Sequence, residues 1–334
     1  MVQLSVIQQS NAQIDQSHAP RTAVFMGGTS GIGKITLQEI AELGFDFTAY
    51  VIGRKETKER YEPFIKEVEG ANPKTKIVWV EGEISLLAEV KRVCDYIKTV
   101  ESRIDLLFLT AGYSPLGGRD ETAEGLDTSQ ALQYYSRMCF VQNLLPQLRA
   151  SGMARVVTVR HAGGERANML DVNDLNLEKP SRLFAIWMTF HVGIMNTLFL
   201  ESLAEKKENE NIVFIHSHPG AVRTGNVYRG WKGWSLGMYF ATYVMDPIMM
   251  LVQFSLKESA ERYLYVVTSG TFGGRGPKIA GVEGRTTRGR ADGGLFLSGK
   301  NCDTVTNEVE IAKLRGSAQD AVWIKTQEII GPYV

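Results

Sequence analysis

The chain has little sulfur, no net charge and an uneven supply of tyrosine. Its three cysteines, Cys94, Cys139 and Cys302, are odd in number and spaced for neither a disulfide framework nor metal ligation. They are expected as buried thiols in a reducing compartment, which points to the cytoplasm. Lysine plus arginine number 37 and aspartate plus glutamate 37, so no overall field gathers a polyanion, and nucleic acid is not an expected partner. No tyrosine occurs between Tyr135 and Tyr228, and residues 183–204 contain neither tyrosine nor lysine. Residues 1–20 are polar and glutamine-rich, with no apolar core of signal-peptide length, and read as a loose arm or an added edge segment.

Long apolar runs are scarce too. The longest, 234–256, carries Asp246-Pro247 in its middle. A spanning helix would have to bury that carboxylate and break at the proline, so no transmembrane segment is expected. Two amphipathic pieces joined at Asp246-Pro247, with Trp231, Trp234, Tyr239, Phe240 and Tyr243 nearby, suit a cover over an apolar substrate pocket near 225–256. A membrane-surface contact, a homo-oligomer interface and ordinary core packing are the other uses of such a region.

What is present is a nucleotide-binding pattern. Arg21-Thr22-Ala23-Val24-Phe25-Met26 reads as a strand and passes directly into Gly27-Gly28-Thr29-Ser30-Gly31-Ile32-Gly33. Gly33, Leu37, Ile40, Ala41 and Gly44 then recur at helical spacing, with Gly44 where a C-terminal cap belongs. A glycine-rich turn between strand and helix lets backbone N–H groups approach a pyrophosphate, and the helix N-terminus adds favourable partial charge. Gly27, Thr29, Ser30, Gly31, Ile32 and Gly33 are therefore candidate cofactor residues. The next strand, 47–52, ends at Gly53-Arg54. An acidic residue there would bind a free ribose 2′-hydroxyl, whereas arginine suits a 2′-phosphate, so Arg54 argues for NADP(H) over NAD, with Lys55 as an aid.

Strand-like runs recur at 76–80, 104–110, 155–159, 212–216 and 262–268, with helical patterns at 85–100, 128–149 and 183–207 between them. Alternating β and α elements with continuously apolar strands predict an α/β, doubly wound parallel sheet with helices on both faces, as one domain over 21–334. The glycine- and arginine-rich stretch 270–299 reads as a long loop before a final helix over 307–330.

In this order the signals resemble the short-chain dehydrogenase/reductase superfamily, whose sheet is of the Rossmann type. Gly27 to Gly33 is similar to its glycine motif, with Met26 in place of the usual threonine. Glu83-Ile84 stands where an aspartate and an apolar residue contact adenine, and Thr110-Ala111-Gly112 where an Asn-Ala-Gly turn lies beneath the cofactor. Pro219-Gly220-Ala221-Val222-Arg223-Thr224 resembles the segment after the sixth strand, whose threonine in the family binds the nicotinamide amide. The resemblance thus implies cofactor contacts at Glu83, Ile84, Ala111, Gly112, Pro219, Gly220, Val222 and Thr224. The run 261–269 looks like an atypical subgroup associated with fungal secondary metabolism.

The catalytic half departs from the family. A typical member protonates the reduced carbonyl with a tyrosine, lowers that tyrosine's pKa with a lysine and orients the carbonyl with a serine, while an asparagine completes the relay. Asn196 and Leu203-Ala204 fix a register that puts Thr189 at the tyrosine position and Gly193 at the lysine position. Arg160-His161 replaces the serine pair, and Gln133 the asparagine. Tyr228 and Lys232 have the right spacing, but Gly230 and Gly233 make a helix there doubtful, and the pattern is attributed to chance.

His161 is then the first candidate for a substrate contact or a proton donor near neutral pH. His191, on the helix that should carry the tyrosine, and Tyr135, beside Tyr134 on the preceding helix, are the others. His218 is preferred to His216 as a pocket neighbour. Three functions fit. The leading one is an NADP(H)-dependent reductase acting on a carbonyl or enone of an apolar small molecule, of secondary-metabolite type, with a non-standard proton donor. The alternatives are a redox-neutral cyclase, isomerase or dehydratase and a non-catalytic nucleotide sensor.

Overall fold

Short apolar segments without polar alternation must be buried on both faces, and they are. The computed structural model describes residues 1–113, 118–179, 184–222, 253–305 and 307–334. In it β1 (Thr22–Met26), β4 (Leu106–Leu109), β5 (Arg155–Val159), β6 (Val213–Ser217) and β7 (Gly294–Ser298) are buried at every residue. With β2 (Phe47–Gly53) and β3 (Thr75–Glu81) they form a seven-stranded parallel sheet in the order β3-β2-β1-β4-β5-β6-β7. The order reverses between β1 and β4, the crevice where such sheets bind ligands.

Helices cover both faces, as the sequence predicts. One face carries α4 (Leu87–Val100), α5 (Ser136–Ser151), α6 (Phe184–Ala204), α8 (Glu308–Ser317) and α9 (Gln319–Ile330), packed around Leu107, Tyr134, Leu198 and Phe214. The other carries α1 (Leu4–Asn11), α2 (Gly31–Ala41), α3 (Lys58–Ala71) and α7 (Leu256–Thr268), packed around Phe25, Leu37, Phe108 and Tyr263. The expected single helix over 307–330 is split at Ala318 into α8 and α9. A π-helical turn, Ala131–Tyr135, precedes α5 and sets Gln133 and Arg137 against the ends of β4 and β5. Such turns often sit at functional sites.

Three segments differ from their expected form. Residues 262–268, read as a strand, belong to helix α7. Their β-branched and aromatic side chains are buried on every side, which erases the helical period, and the Ser255 hydroxyl caps the helix by accepting from Glu258 N at 3.1 Å. The sheet strand lies instead inside the stretch read as a loop, where Gly294–Ser298 pairs with β6. The first twenty residues are not a loose arm: α1 buries Ile7 and packs on α7, and Gln8 and Asn11 donate to the Glu261 side chain and carbonyl.

The cover expected near 225–256, with Thr224, Tyr228, Lys232 and Asp246-Pro247, lies almost wholly outside the described residues. Among those that are described, no helix is long and apolar enough to cross a membrane. Cys94, Cys139 and Cys302 are buried free thiols.

Arg155, buried at the start of β5, donates to the carbonyls of Val266, Ser269 and Gly273 at 3.0, 2.7 and 3.0 Å and so holds the end of α7 to the sheet. Arg155→Met leaves those buried acceptors without a donor and is expected to cost about 2–4 kcal/mol. Urea denaturation measures it, and a loss within experimental error would show that the carbonyls find other partners.

Candidate active site

The phosphate end is built from steric permission. At Gly27, with φ of 106°, an added Cβ would lie 2.5 Å from both Ala111 N and the Thr110 hydroxyl. At Gly33 it would run into the Gly27 carbonyl oxygen. Only glycines at these two places allow α2 to start so close to the end of β1. Hydrogen bonds fix the turn from the neighbouring strand: Thr110 N and Ala111 N donate to Met26 O at 2.8 and 3.0 Å, and the Thr110 hydroxyl donates to Gly27 O at 3.1 Å. The Tyr61 hydroxyl donates to Gly28 O at 3.0 Å.

Beside this turn opens a cleft of about 370 Å³ lined by Thr29, Ser30, Gly31, Lys34, Thr57, Arg60 and Tyr61. Lys34 and Arg60 were not singled out from the sequence, because their convergence depends on how α2 packs beside α3. Arg54 does stand at the end of β2, half-exposed, but its Nε pairs with Glu56 at 3.3 Å. Such an exposed pair is weak and yields readily to a phosphate. Glu83 turns its carboxylate onto Ser85, accepting from the hydroxyl at 2.8 Å, and Ile84 is buried with its carbonyl accepting from Ser136 at 2.6 Å. Thr29, Ser30, Gly31 and the turn glycines are thus gathered around one cleft, while Glu83 and Ile84 serve mainly the loop after β3.

Beneath the switch point, Gln133 Nε2 donates to Tyr113 O at 2.7 Å, and a Cβ on Gly112 would strike its side chain at 2.5 Å. Asn196 Nδ2 reaches Gln133 O at 3.0 Å, linking α6 to the π-helical turn. Beyond β6, Pro219 and Gly220 lead to Val222, which bridges to Phe254; Gly220, with φ of 67°, leaves no room for a Cβ between Phe254 and Lys300.

At the carboxyl end of β5, the ring of His161 packs edge-on to Phe190 at 4.9 Å and to His218 at 4.8 Å. Gly164 makes space for it, since a Cβ there would lie 2.5 Å from the imidazole. Gly193 backs onto His161, its would-be Cβ 3.4 Å from His161 O, and the Thr189 hydroxyl donates to its own helix at Ala185 O. The positions that should carry lysine and tyrosine therefore present no ionisable group. Burial, with help from His218 and Arg160, lowers the His161 pKa to about 4, so the ring is neutral at pH 7. This corrects the expectation of a ready acid: His161 can donate a hydrogen bond from a neutral imidazole but does not hold an extra proton there.

The other two candidates lie away from this place. The Tyr135 phenol is buried, donates to Asn176 Oδ1 at 2.5 Å and has its pKa driven up by burial. His191 is buried, with Nε2 3.3 Å from Leu175 O and its pKa lowered to about 4 by burial. Both have the contacts of structural residues.

Sequence reasoning missed Arg137, which joins Arg160, His161, His216 and His218 in a basic cluster at the ends of β5 and β6. Arg137, fully buried, donates to Thr158 Oγ1, Val159 O and Ala111 O at 2.7, 3.0 and 2.7 Å. Burial and Arg160 lower its pKa to about 9. Buried His216 places Nδ1 2.8 Å from the Thr197 hydroxyl, which donates to Glu165 at 2.7 Å. A lone cation in the apolar run Met138-Cys139-Phe140-Val141 was the available signal for Arg137. Among the described residues no group of three His, Cys, Asp or Glu is arranged to hold a metal.

Comparison with known proteins agrees with this geometry. The short chain dehydrogenase family matches residues 21–173. The chain is 34% identical to Oxidoreductase AN1596 of Emericella nidulans, over 99% of this chain and 98% of that one. It is 33% identical to the NmrA-like family domain-containing oxidoreductase notO of an Aspergillus species, over 98% and 95%. Among solved structures, an uncharacterised protein from Mycobacterium paratuberculosis superimposes with a TM-score of 0.61 at 18% identity, covering 96% of this chain and 97% of that one. Pseudomonas aeruginosa RhlG, solved as an NADP active-site complex, gives 0.53 at 17% identity, covering 75% and 91%. At these identities the structural likeness is one of fold.

The depressed histidines set a pH dependence. His161 and His191 are proton-free when folded, with pKa values near 4, and take up protons near 6.5 once unfolded. Unfolding therefore binds protons between those values, so stability is complete above about pH 6.5 and falls as the pH drops toward 4. Thermal denaturation midpoints are expected to decrease across that window, and His191→Gln is expected to flatten the decrease. Parallel profiles for the two proteins would remove His191 from the account.

Proposed function

The chain belongs to the short-chain dehydrogenase/reductase family, and from that premise we propose that it binds NADP(H) and reduces a carbonyl or enone of an apolar small molecule in secondary-metabolite-type biosynthesis. The observation that carries the reading is the pair Gly27 and Gly33, which keep open the one place where backbone N–H groups and the N-terminus of α2 can approach a pyrophosphate. The similarity to fungal proteins named oxidoreductases supports it, as does a fold shared with an NADP complex.

Ser30, Gly31 and Ile32 hold the pyrophosphate through the α2 N-terminus. Lys34 and Arg60, with Arg54 released from Glu56, supply the positive charge that a 2′-phosphate needs. Ala111 and Gly112 would hold the nicotinamide half from below and Pro219, Gly220 and Val222 from beyond β6, while Thr224 lies outside the described residues. When bound, the reduced nicotinamide supplies a hydride. His161, neutral and edge-packed between Phe190 and His218, orients and polarises the substrate oxygen by hydrogen bonding, and the oxyanion left by hydride addition takes its proton from water. A positioned acid is worth about 10²–10⁴-fold, and its loss is tolerated best where the substrate is an enone, whose developing charge is delocalised.

One observation favours a second reading, a redox-neutral cyclase, isomerase or dehydratase. Thr189 gives its hydroxyl to Ala185 O, and Gly193 offers no side chain, so the usual proton-delivery groups have no replacement on α6. Orientation of a flexible substrate alone lowers a barrier by at most about 7–11 kcal/mol, which is enough for such chemistry.

Calorimetric titration with NADPH and NADH tests the cofactor. NADPH is expected to bind at least about tenfold more tightly, and Arg60→Glu to remove the preference while leaving NADH affinity nearly unchanged. Equal wild-type affinities would defeat the NADP assignment. Turnover of an enone panel should consume reduced nicotinamide in step with product; product formed without that consumption would favour the redox-neutral reading.

A further inference from the structure

Among the described residues the guanidinium of Arg160 has no counter-ion. The residue keeps part of its surface open at the carboxyl end of β5, but its Nε and Nη2 are shut off from solvent and neither finds an acceptor. These two nitrogens form one edge of the guanidinium plane. Their N–H bonds run side by side, the fork that matches both oxygens of a carboxylate.

The surroundings do not supply that carboxylate. The ionisable groups that sense one another here are Arg137, Arg160, His161, His216 and His218, all basic, with the phenol of Tyr263 beside Arg137 as the one acid among them. Lys300 adds a further positive charge beside His218. The carboxyl group nearby is Glu165, which accepts the Thr197 hydroxyl and stands 4.0 Å from His216 Nδ1; burial raises its pKa. Among the described residues no carboxylate lies within ion-pair distance of Arg160, and its pKa, lowered to about 10, responds to burial alone. Arg137 is different, because its donors are matched by neutral oxygens of Leu132, Ala111, Thr158 and Val159. Sealing off a cation with the three N–H donors of Nε and Nη2 unmatched is unfavourable unless an anion completes the site.

We propose that Arg160 receives a carboxylate of the substrate, so that the molecule acted on is an apolar carboxylic acid held by its acid group beside His161. This rests on the reductase reading for the identity of the pocket. The dinucleotide phosphates are a poor alternative occupant. They belong at the α2 N-terminus beside β1, and β5 is two strands away in the sheet, about 10 Å. The backbone fixes the placement: Arg160 N donates to Ser217 O at 2.7 Å, and the next residue is His161. A carboxylate on the Arg160 fork therefore fixes one end of the substrate while the imidazole meets another polar group. The apolar expectation for the substrate is kept for its body and amended at one end.

The test uses the full chain, with and without saturating NADP, and three probe pairs: phenylacetate, phenylbutanoate and phenylhexanoate, each against its neutral amide. Calorimetry or ligand-observed NMR reads the affinity. At least one acid is expected to bind wild type about tenfold more tightly than its amide, and the difference is expected to shrink to about twofold or less in Arg160→Met. Arg160→Lys, which keeps the charge but not the fork, should fall between. NADP affinity should stay within about twofold of wild type in both variants, because the fork is not a phosphate contact. Acids and amides that bind wild type equally, or do not bind at all, overturn the proposal even if Arg160→Met fails to fold. So does an Arg160→Met protein that keeps the acid preference, or one that loses NADP affinity in step, which would put a dinucleotide phosphate on the fork. A wild-type protein that selects acids but binds no nucleotide would sink the reductase reading and leave the carboxylate site standing.

Discussion

The carboxyl edge of a parallel sheet is where the ladder of backbone hydrogen bonds runs out, and the guanidinium of Arg137 closes it here. Its fork ties the exit of β4, through Ala111 O, to the exit of β5, through Thr158 and Val159. Ala111 in turn donates, with Thr110, to Met26 O, so the same network fixes the glycine turn at the end of β1. The amino edge is closed by the opposite charge, since Asp105 accepts from Arg21 N and Thr22 N and from the Ser151 hydroxyl. The nucleotide cradle and the His161 region are therefore parts of one rigid edge rather than separate loops.

That arrangement accounts for what could be read in the sequence. The glycine turn was legible because its reasons are local: Gly27 needs its φ, and Gly33 needs to be small against a residue six positions earlier. The first six strands, β1 to β6, were legible as short, mainly apolar runs. Residues 262–268 were not, because the exposed positions of α7 lie in its first turns, leaving these seven residues uniformly buried, and their valines and tyrosines favour strands. Gly294–Ser298 was hidden by its length and by glycine-rich flanks. The basic residues of the cleft and of the sheet edge escaped for a different reason. Lys34, Arg60 and Arg137 matter through which elements they meet, and sequence spacing does not carry that information.

The two ends of the crevice differ in their electrostatics. At the phosphate end the positive charges are exposed or line an open cleft, where they cost little and act over a distance. At the β5 and β6 end they are buried, and burial drives them toward neutrality: His161 and His216 lose their protons, and Arg137 and Arg160 are pushed below their ordinary values. A site of this kind favours an incoming negative charge over a proton. Substrate polarisation by neutral donors follows naturally from it, and delivery of a proton by a free phenol does not.

Gly193 bears on how reversible this design is. The space over its α-carbon meets only His161 O at 3.4 Å and the His161 side chain at 3.8 Å, ordinary van der Waals separations. A β-carbon could be added there without displacing the backbone, and Thr189 needs only a rotamer change to stop bonding its own helix turn. The two positions that carry the family's usual proton relay thus lie one helical turn apart on α6, and the first carbon of a side chain at Gly193 meets no clash. The barrier to rebuilding it lies in the surrounding positive charge, which would resist a second ammonium beside Arg160.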